Sequence, residues 1–131
     1  MEVKASAKGV RISPRKVEVV ASLVRGRTVK DALTILEHTP RRSALTVSKV
    51  IKSAKANAEN NYNLKGDTLN LSHISVTPGP RLKRYRPAAH GRALPFQRKS
   101  SHIYVSVIGE KRAPKKPVAS KTTEKAKKEA K

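Results

Sequence analysis

The sequence lacks cysteine and tryptophan, and its 131 residues include only three tyrosines and one phenylalanine. The absence of cysteine excludes disulfides, thiol nucleophiles and cysteine-ligated metals, and it leaves the redox compartment open. Proteins that bind single-stranded nucleic acid usually carry several aromatic side chains on a sheet, where bases stack. Four aromatic residues are too few for such a platform, so any nucleic-acid recognition is expected to rest on phosphates and shape.

Carboxylates are also scarce. Nine aspartates and glutamates face 30 lysines and arginines, which gives a formal net charge of +21, and residues 68–109 contain no carboxylate. Such an excess opposes compaction unless an anionic partner neutralises it, and the candidates are nucleic acid and an acidic membrane surface. No apolar run approaches the roughly 18 residues of a membrane span, and the N-terminus does not resemble a signal peptide. A cytoplasmic protein without membrane partners is therefore expected.

The sequence offers little for catalysis or metal binding. Its four histidines are not spaced as a metal pair, and no glycine-rich phosphate loop is present. A general base needs an orienting acid, and no carboxylate lies within four residues of His73, His90 or His102. We therefore expect no enzyme, no metal and no cofactor. An RNA-processing enzyme that uses His90 or His102 remains an alternative.

The periodicity predicts an α+β fold. Alternating Val3, Ala5 and Ala7 indicate a first strand, and Ser13-Pro14 resembles a capped helix start that ends near Gly26. Thr28 is expected to cap a second helix, and Thr39-Pro40 a third that runs to about residue 60. The apolar stripe of the third helix consists of Ala44, Val47, Ile51, Ala54 and Ala58.

Two further strands follow the helices. One begins at Leu69 and changes its alternation at Ser72-His73, which predicts a β-bulge, and the last contains Ile103, Val105 and Val107. The expected architecture is three helices packed on a small three-stranded antiparallel sheet. Residues 1–109 would form one domain, and the lysine-rich residues 110–131 would be a disordered basic tail.

An unusually long connection joins the last two strands, far longer than an ordinary hairpin loop. Its apolar residues are spread along it, which favours a protruding β-hairpin at about 79–102, with arms near 80–86 and 96–102 and a tip at 87–95. At about 3.3 Å per residue it would extend on the order of 35 Å. Such a ribbon is unstable alone, so it needs a partner along its sides. The alternative is a flexible, solvated basic loop.

Basic residues on this hairpin are candidates for phosphate contacts: Arg81, Lys83, Arg84, Arg86, Arg98 and Lys99. Arg15-Lys16 at the first helix start could bind phosphate or be solvated, and the same alternatives hold for Arg25 and Arg27. For Lys49, Lys52 and Lys55 on the third helix, a plain solvent-exposed face is slightly favoured over an RNA-facing stripe.

Several segments in order carry a specific resemblance. They are V-R-I-S-P-R-K, V-R-G, S-A-K-A-N-A-E-N-N, G-P-x-x-K-R-Y-R-P-x-A-x-G-R-A and S-S-H-I-x-V-x-V. Together they resemble the large-subunit ribosomal protein family twenty-two over about residues 3–109. The resemblance implies a surface domain near the exit of the nascent-chain tunnel, a hairpin that threads through the large ribosomal RNA, and a tip that lines the tunnel. It also implies a role in assembly.

By position, the resemblance implies RNA-binding residues in both parts of the chain. They are Ser13, Pro14, Arg15, Lys16, Arg25 and Gly26 in the domain, and Lys83, Arg84, Arg86, Pro87, Arg92, Lys99, Ser101 and His102 in the hairpin, beside the phosphate candidates Arg81 and Arg98. The tunnel-facing tip would comprise Ala88, Ala89, His90, Gly91, Arg92 and Ala93. Expected partners are large-subunit ribosomal RNA, neighbouring ribosomal proteins and the nascent polypeptide.

A DNA-architectural protein with a β-ribbon arm is the other alternative. Such proteins are usually dimers, whereas no apolar face of this chain is evidently committed to self-pairing. A homo-oligomer is therefore not expected, and the ribosomal interpretation is preferred.

Overall fold

The computed structural model describes residues 1–112 and has the predicted α+β class. In chain order, three helices follow the first strand and precede the other two. The three strands form an antiparallel sheet with the spatial order β1-β3-β2. The elements are β1 (Glu2–Val10), α1 (Pro14–Val24), α2 (Val29–His38), α3 (Arg42–Tyr62), β2 (Asn70–Pro87) and β3 (Ala93–Ile108), with a single 3₁₀ turn at Ala89–Gly91 between the last two strands.

The first helix begins at Pro14 as predicted, because a residue without an N–H loses nothing in the first turn of a helix. The capping role expected of the Ser13 side chain is wrong, since its hydroxyl makes no cap hydrogen bond. Instead its backbone carbonyl accepts from the amides of Lys16 and Val17 at 3.0 and 3.3 Å. The chain leaves the helix through Gly26, whose φ of +74° favours glycine.

The second helix has the predicted cap, because Thr28 Oγ1 accepts from the amide of Asp31 at 3.2 Å. The predicted start of the third helix at Thr39-Pro40 is wrong. Thr39 belongs to the end of α2, where its hydroxyl donates to the Ile35 carbonyl at 2.7 Å, and α3 begins two residues after Pro40. Helix α3 ends at Tyr62 and is followed by Asn63, which adopts a left-handed conformation with φ +49°.

The hydrophobic core lies between the helices and one face of the sheet. The predicted α3 stripe is confirmed, because Ala44, Val47, Ile51, Ala54 and Ala58 are all at most 1% exposed. Helix α1 contributes four buried residues at helical spacing, namely Val17, Val20, Ala21 and Val24. The sheet contributes side chains that alternate along its strands: Val3, Leu71, Ile74, Ile103, Val105 and Val107.

Irregular pairing bends both outer strands of the sheet. The register of β2 shifts between Leu71 and His73, which confirms the predicted bulge, and it shifts again between Pro78 and Arg81. The register of β1 shifts between Ala7 and Val10. The second β2 shift lies at the base of the ribbon, the β1 shift lies near the end of β1, and a bulge increases the local twist of its strand.

Beyond the body, β2 and β3 continue alone as a two-stranded ribbon, paired from Arg81↔Lys99 to Pro87↔Ala93. The nine residues from Gly79 to Pro87 correspond to a length of about 30 Å. The turn between the arms comprises residues 88–92, so it is shorter than the nine-residue tip predicted. Its residues His90 and Gly91 both have positive φ, at 58° and 68°.

At the other end of β3 the described contacts continue to Arg112. The amide of Lys65 donates to the Glu110 carbonyl at 2.9 Å, and the amide of Arg112 donates to the Asn63 carbonyl at 2.7 Å. Most of the predicted basic tail, residues 113–131, lies outside the described residues. None of the helices in residues 1–112 combines the length and apolarity needed to cross a membrane.

Candidate nucleic-acid interface

The ribbon carries cations on both of its faces. Cross-strand partners share a face, so Arg81↔Lys99 and Lys83↔Gln97 lie on one face and Leu82↔Arg98 lies on the other. The second face continues with two further partner pairs, Arg84↔Phe96 and Arg86↔Leu94. All of these side chains are exposed. A partner that surrounds the ribbon would therefore meet positive charge on either side.

The start of α1 lies against the base of this ribbon. Arg15 of the helix and Arg81 and Lys99 of the arms line one small cleft of about 80 Å³, which Ser13 and Pro14 complete. Two sequence segments more than sixty residues apart thus form one surface. The cleft thus joins part of the two predicted groups, the α1 start and the ribbon base, whereas the predicted Arg25 and Gly26 do not line it.

A further basic group was missed by the sequence reasoning. Arg11, Arg41 and Arg42 line a cleft of about 490 Å³ together with the predicted Lys16, where the first turn of α3 meets the loop before α1. The three arginines are exposed. A signal was available in the sequence, because residues 38–58 contain no carboxylate and include the Arg41-Arg42 doublet.

Salt bridges divide the cations into two classes. Over residues 1–112, four cations have a carboxylate within 4.0 Å, in the pairs Arg25–Glu18, Lys30–Asp67, Lys52–Glu37 and Lys55–Glu59. The hydrogen bond from Lys30 lowers the pKa of Asp67, so this carboxyl remains ionised and offsets the lysine charge. The cations of the ribbon, of the α1 start and of the Arg41-Arg42 doublet form no such pair in this part of the chain. Their charge is available to a partner.

Arg25 therefore differs from the other predicted site residues. Its guanidinium donates to Glu18 at 2.9 Å and to the backbone carbonyl of Ile74 at 3.2 Å. These bonds tie the end of α1 to strand β2, so the structure gives Arg25 a role within the fold. Gly26 beside it is exposed and has no Cβ contact within 4 Å, and its positive φ explains why glycine is needed there.

Two predicted RNA-binding residues of the hairpin are instead buried or hydrogen-bonded within the protein. Ser101 was expected to face RNA, but its side chain is fully buried, because β3 is the central strand and Ser101 shares the inward phase of Ile103. Its hydroxyl has no hydrogen-bond partner among residues 1–112. His102 is half-buried, and its Nδ1 accepts from the amide of Gly9 at 2.9 Å. That bond holds β1 where its register is interrupted.

The predicted tip forms a compact turn. The amide of Ala88 donates to the Arg92 carbonyl at 2.8 Å, which closes the ribbon. His90, Arg92 and Ala93 are exposed. The left-handed conformation of His90 is uncommon for a residue with a side chain, and it produces the sharp reversal together with Gly91. The tip thus presents one cation and one imidazole on a small turn.

On α3, two of the three lysines that could form an RNA-facing stripe pair with carboxylates of the protein. Lys52 lies 3.8 Å from Glu37, and Lys55 lies 3.8 Å from Glu59. Lys49 is exposed. These two ion pairs favour the interpretation of this part of α3 as a plain solvent-exposed face. In its ion pairing it differs from the basic surface at the ribbon and the α1 start.

No group of three or more potential metal ligands exists in the described part of the chain. His102 has one ring nitrogen occupied by the Gly9 amide, and His90 stands on the exposed turn. Neither histidine has a salt-bridged acid partner among residues 1–112.

Comparison with known proteins decides the family. The family model described as ribosomal protein L22p/L17e matches residues 5–108, which include all the helices, the ribbon and most of the sheet. The chain belongs to this family.

Individual relatives of the L22p/L17e family agree closely with this chain. The large ribosomal subunit protein uL22 of Clostridium acetobutylicum is 51% identical over 107 residues, which are 82% of this chain and 96% of the relative. The protein of the same name from Clostridioides difficile is 49% identical over 112 residues, 86% of this chain and all of the relative. That from Oceanobacillus iheyensis is 50% identical over 111 residues, 85% and 98% of the two chains.

Membership in the L22p/L17e family confirms the resemblance predicted from the sequence motifs. A member of this family is a ribosomal protein and not an enzyme, so the RNA-processing alternative is set aside. The roles of individual residues on the basic surface are predictions that rest on the geometry above.

Proposed function

We propose that this chain is a structural component of the large ribosomal subunit that binds large-subunit ribosomal RNA with the ribbon and the adjoining α1 surface. The observation that carries the proposal is the division of charge: exposed cations that have no carboxylate partner within residues 1–112 lie on the ribbon and beside its base. The family and the name of its relatives supply the setting. In bacteria such as those relatives the ribosome lies in the cytoplasm, where this chain would act.

The chemistry of docking is phosphate neutralisation. Contacts from lysine and arginine to phosphates position a protein without reading sequence, and they release counterions as they form. The residues we assign to this role are Arg15, Lys16, Arg81, Lys83, Arg84, Arg86, Arg92, Arg98 and Lys99, with Ser13, Pro14 and Pro87 as neighbouring backbone positions. Gly26, past the other end of α1, would be a separate backbone contact. Arg11, Arg41 and Arg42 extend this surface onto the start of α3.

The ribbon provides the reason why RNA must surround it. A two-stranded hairpin is marginal in water, and its residues 81–99 bury almost no side chain. We infer that RNA closes around both charged faces and orders the arms, which would tie together RNA segments that are distant in sequence. This coupling of ribbon order to RNA folding is how the protein would support assembly of the subunit.

The turn at residues 88–93 is the part farthest from the body and would reach the nascent-chain tunnel. Its exposed residues are small except for His90 and Arg92, which suits a narrow space beside a passing polypeptide. Neighbouring ribosomal proteins would contact the globular body. We propose that the chain acts as one copy per subunit, with residues 1–109 as a single domain and residues 110–131 as a basic extension.

The test is sedimentation of a lysate through a sucrose gradient, followed by a high-salt wash and detection of this chain. Stoichiometric migration with the large subunit, retained after the wash, is the expected result. Recovery in the soluble or DNA-bound fraction would refute the proposal and favour a DNA-architectural protein. Comparison of affinity for ribosomal RNA and for duplex DNA at equal salt separates these two cases further.

A further inference from the structure

A surface cleft of about 630 Å³ lies where the ribbon leaves the body. Gly9 and Arg11 at the end of β1 form one wall, and the two arms of the ribbon form the other. The volume falls within the range of about 300–1,000 Å³ that is typical of small-ligand sites. The cleft is distinct from the smaller one at the start of α1, although Lys99 and Ser100 line both.

The lining combines apolar and cationic side chains in a regular way. Leu82 pairs across the ribbon with Arg98, and Arg84 pairs with Phe96, so each partner pair places an apolar group beside a guanidinium. Because cross-strand partners share a face and alternate residues return to it, both pairs face the same side. The result is an apolar floor with an arginine on either side, and Arg11, which follows β1, adds a third.

The aromatic ring of Phe96 in this floor is restrained by a neighbouring side chain and remains partly exposed. Phe96 is 36% exposed, and the guanidinium of Arg86 lies 5.8 Å from its ring centroid, a cation–π arrangement. Arg86 is not among the residues that line the cleft, whereas Phe96 is. The arginine therefore restrains the ring and leaves part of it open to an occupant of the cleft.

These properties together define the chemistry of an occupant. Apolar groups and an aromatic ring fit a planar base, and three arginines fit the flanking phosphates. Carboxylates are absent from residues 68–109. A base within a double helix has its faces covered by stacking, so only an unpaired base could enter. Tyr85 also lines the cleft, but strand alternation places it on the other face of the ribbon, so Phe96 is the ring that faces the Leu82 and Arg84 side. One ring is not the multi-residue platform of a single-strand-binding sheet, but it is enough for one nucleotide.

We propose that this cleft binds one unpaired nucleotide of RNA, with its base stacked on Phe96 and its phosphates held by Arg11, Arg84 and Arg98. The inference rests on the proposed RNA-binding function and deepens it, because it adds a base contact to a surface otherwise made for phosphates. Stacking of this kind tolerates any base, so the site would select for an unpaired base and not for sequence.

The test compares two probes of equal charge, a short oligouridylate and an abasic ribose-phosphate oligomer of the same length, with the purified full chain at one salt concentration. Wild-type protein should bind the oligouridylate about tenfold more tightly, the scale of one base stacked on one ring. Phe96→Leu keeps an apolar side chain and removes the aromatic face, so the preference should fall to about twofold or less.

Tyr104→Leu is the matched control, because Tyr104 is 37% exposed on the same strand but lies outside the cleft. It should leave the tenfold preference unchanged. Equal affinity of wild-type protein for both probes, an unchanged preference in Phe96→Leu, or a loss of preference in Tyr104→Leu would each overturn the inference. Tighter binding of a polyglutamate peptide than of oligouridylate, lost in Phe96→Leu, would assign the cleft to a peptide instead.

Failure of this test is distinguishable from failure of the proposed function. Co-migration of the wild-type chain with the large subunit does not depend on Phe96, so that result together with equal probe affinities would remove the nucleotide site alone. Phe96 is exposed, and a circular dichroism spectrum that matches the wild type would show that the Leu variant is folded.

Discussion

The division of charge between internal ion pairs and free cations leads to a paired prediction about Arg25 and the ribbon arginines. One variant replaces Arg81, Arg84 and Arg98 by glutamine. A second variant replaces Arg25 by glutamine. The three ribbon side chains are exposed and belong to no salt bridge among residues 1–112. Arg25 bonds to Glu18 and to the Ile74 carbonyl. The two changes should therefore affect different measurements.

The magnitude for the ribbon follows from counterion release. Each phosphate contact contributes about 0.7–0.9 to the slope of log affinity against log salt, which at about 0.15 M salt corresponds to roughly fivefold in affinity per contact. Loss of three contacts should reduce the slope by about 2–3 and the affinity by roughly a hundredfold. The free energy of unfolding should change by less than about 0.5 kcal/mol, because exposed side chains contribute little to stability.

The opposite pattern is expected for Arg25→Gln. The ion pair with Glu18 is about half exposed and so contributes little, while the bond to the backbone carbonyl is worth about 1 kcal/mol. Stability should fall by about 1 kcal/mol, and both RNA affinity and salt slope should stay at the wild-type values. The assays are filter binding to large-subunit ribosomal RNA across a salt series, and urea unfolding followed by circular dichroism.

The results that would refute this reasoning are specific. A salt slope unchanged in the triple variant would mean that the ribbon arginines do not contact phosphates. A reduced slope in Arg25→Gln would mean that an internally paired arginine is still an RNA contact, and the structural division of charge would then be the wrong criterion.

Three further predictions concern the fold and the ribbon base. Ile51→Ala, at a fully buried position of α3, should lower the free energy of unfolding by about 2–5 kcal/mol in urea titration. The control Leu45→Ala, on the exposed side of the same helix, should change it by less than about 0.5 kcal/mol. Equal effects of the two changes would contradict the assigned core. Gly79→Ala should destabilise the protein by about 1–3 kcal/mol, since its Cβ would lie 2.6 Å from Ser100 Oγ. Ser100 Oγ also donates to the Pro80 carbonyl, so the same change is made in a Ser100→Ala background, where its cost should be smaller; an equal cost in both backgrounds would show that this contact is not the cause. His102→Leu removes the acceptor of the Gly9 amide, so hydrogen exchange at Gly9 should accelerate relative to the amides of α3, and an unchanged rate would argue against this hydrogen bond.

Local signals in the sequence were sufficient for most of the fold. These local features are the Ser13-Pro14 start of α1, the Thr28 cap and the buried stripe of α3. Each depends on residues at most a few turns apart, so it can be recognised from a short segment of the sequence. The bulge near His73 was predictable for the same reason, because a change of phase in an alternating strand is visible without its partner. Thr39 shows the limit of such signals: its hydroxyl can cap the following helix or bond back to the preceding one, and the second arrangement is present.

Composition and motifs along the chain are enough to identify the basic, carboxylate-free ribbon segment, the helices and the family. The folded arrangement alone shows which cations lack a carboxylate partner within residues 1–112, because Arg25 bonds to Glu18 of α1 and to strand β2, while Arg11 meets the Arg41-Arg42 doublet from a separate segment. It also decided that Ser101 is buried, since the central position of β3 covers it on both sides. The physical reason is common to these cases: exposure and ion pairing depend on distances in space between residues far apart in sequence.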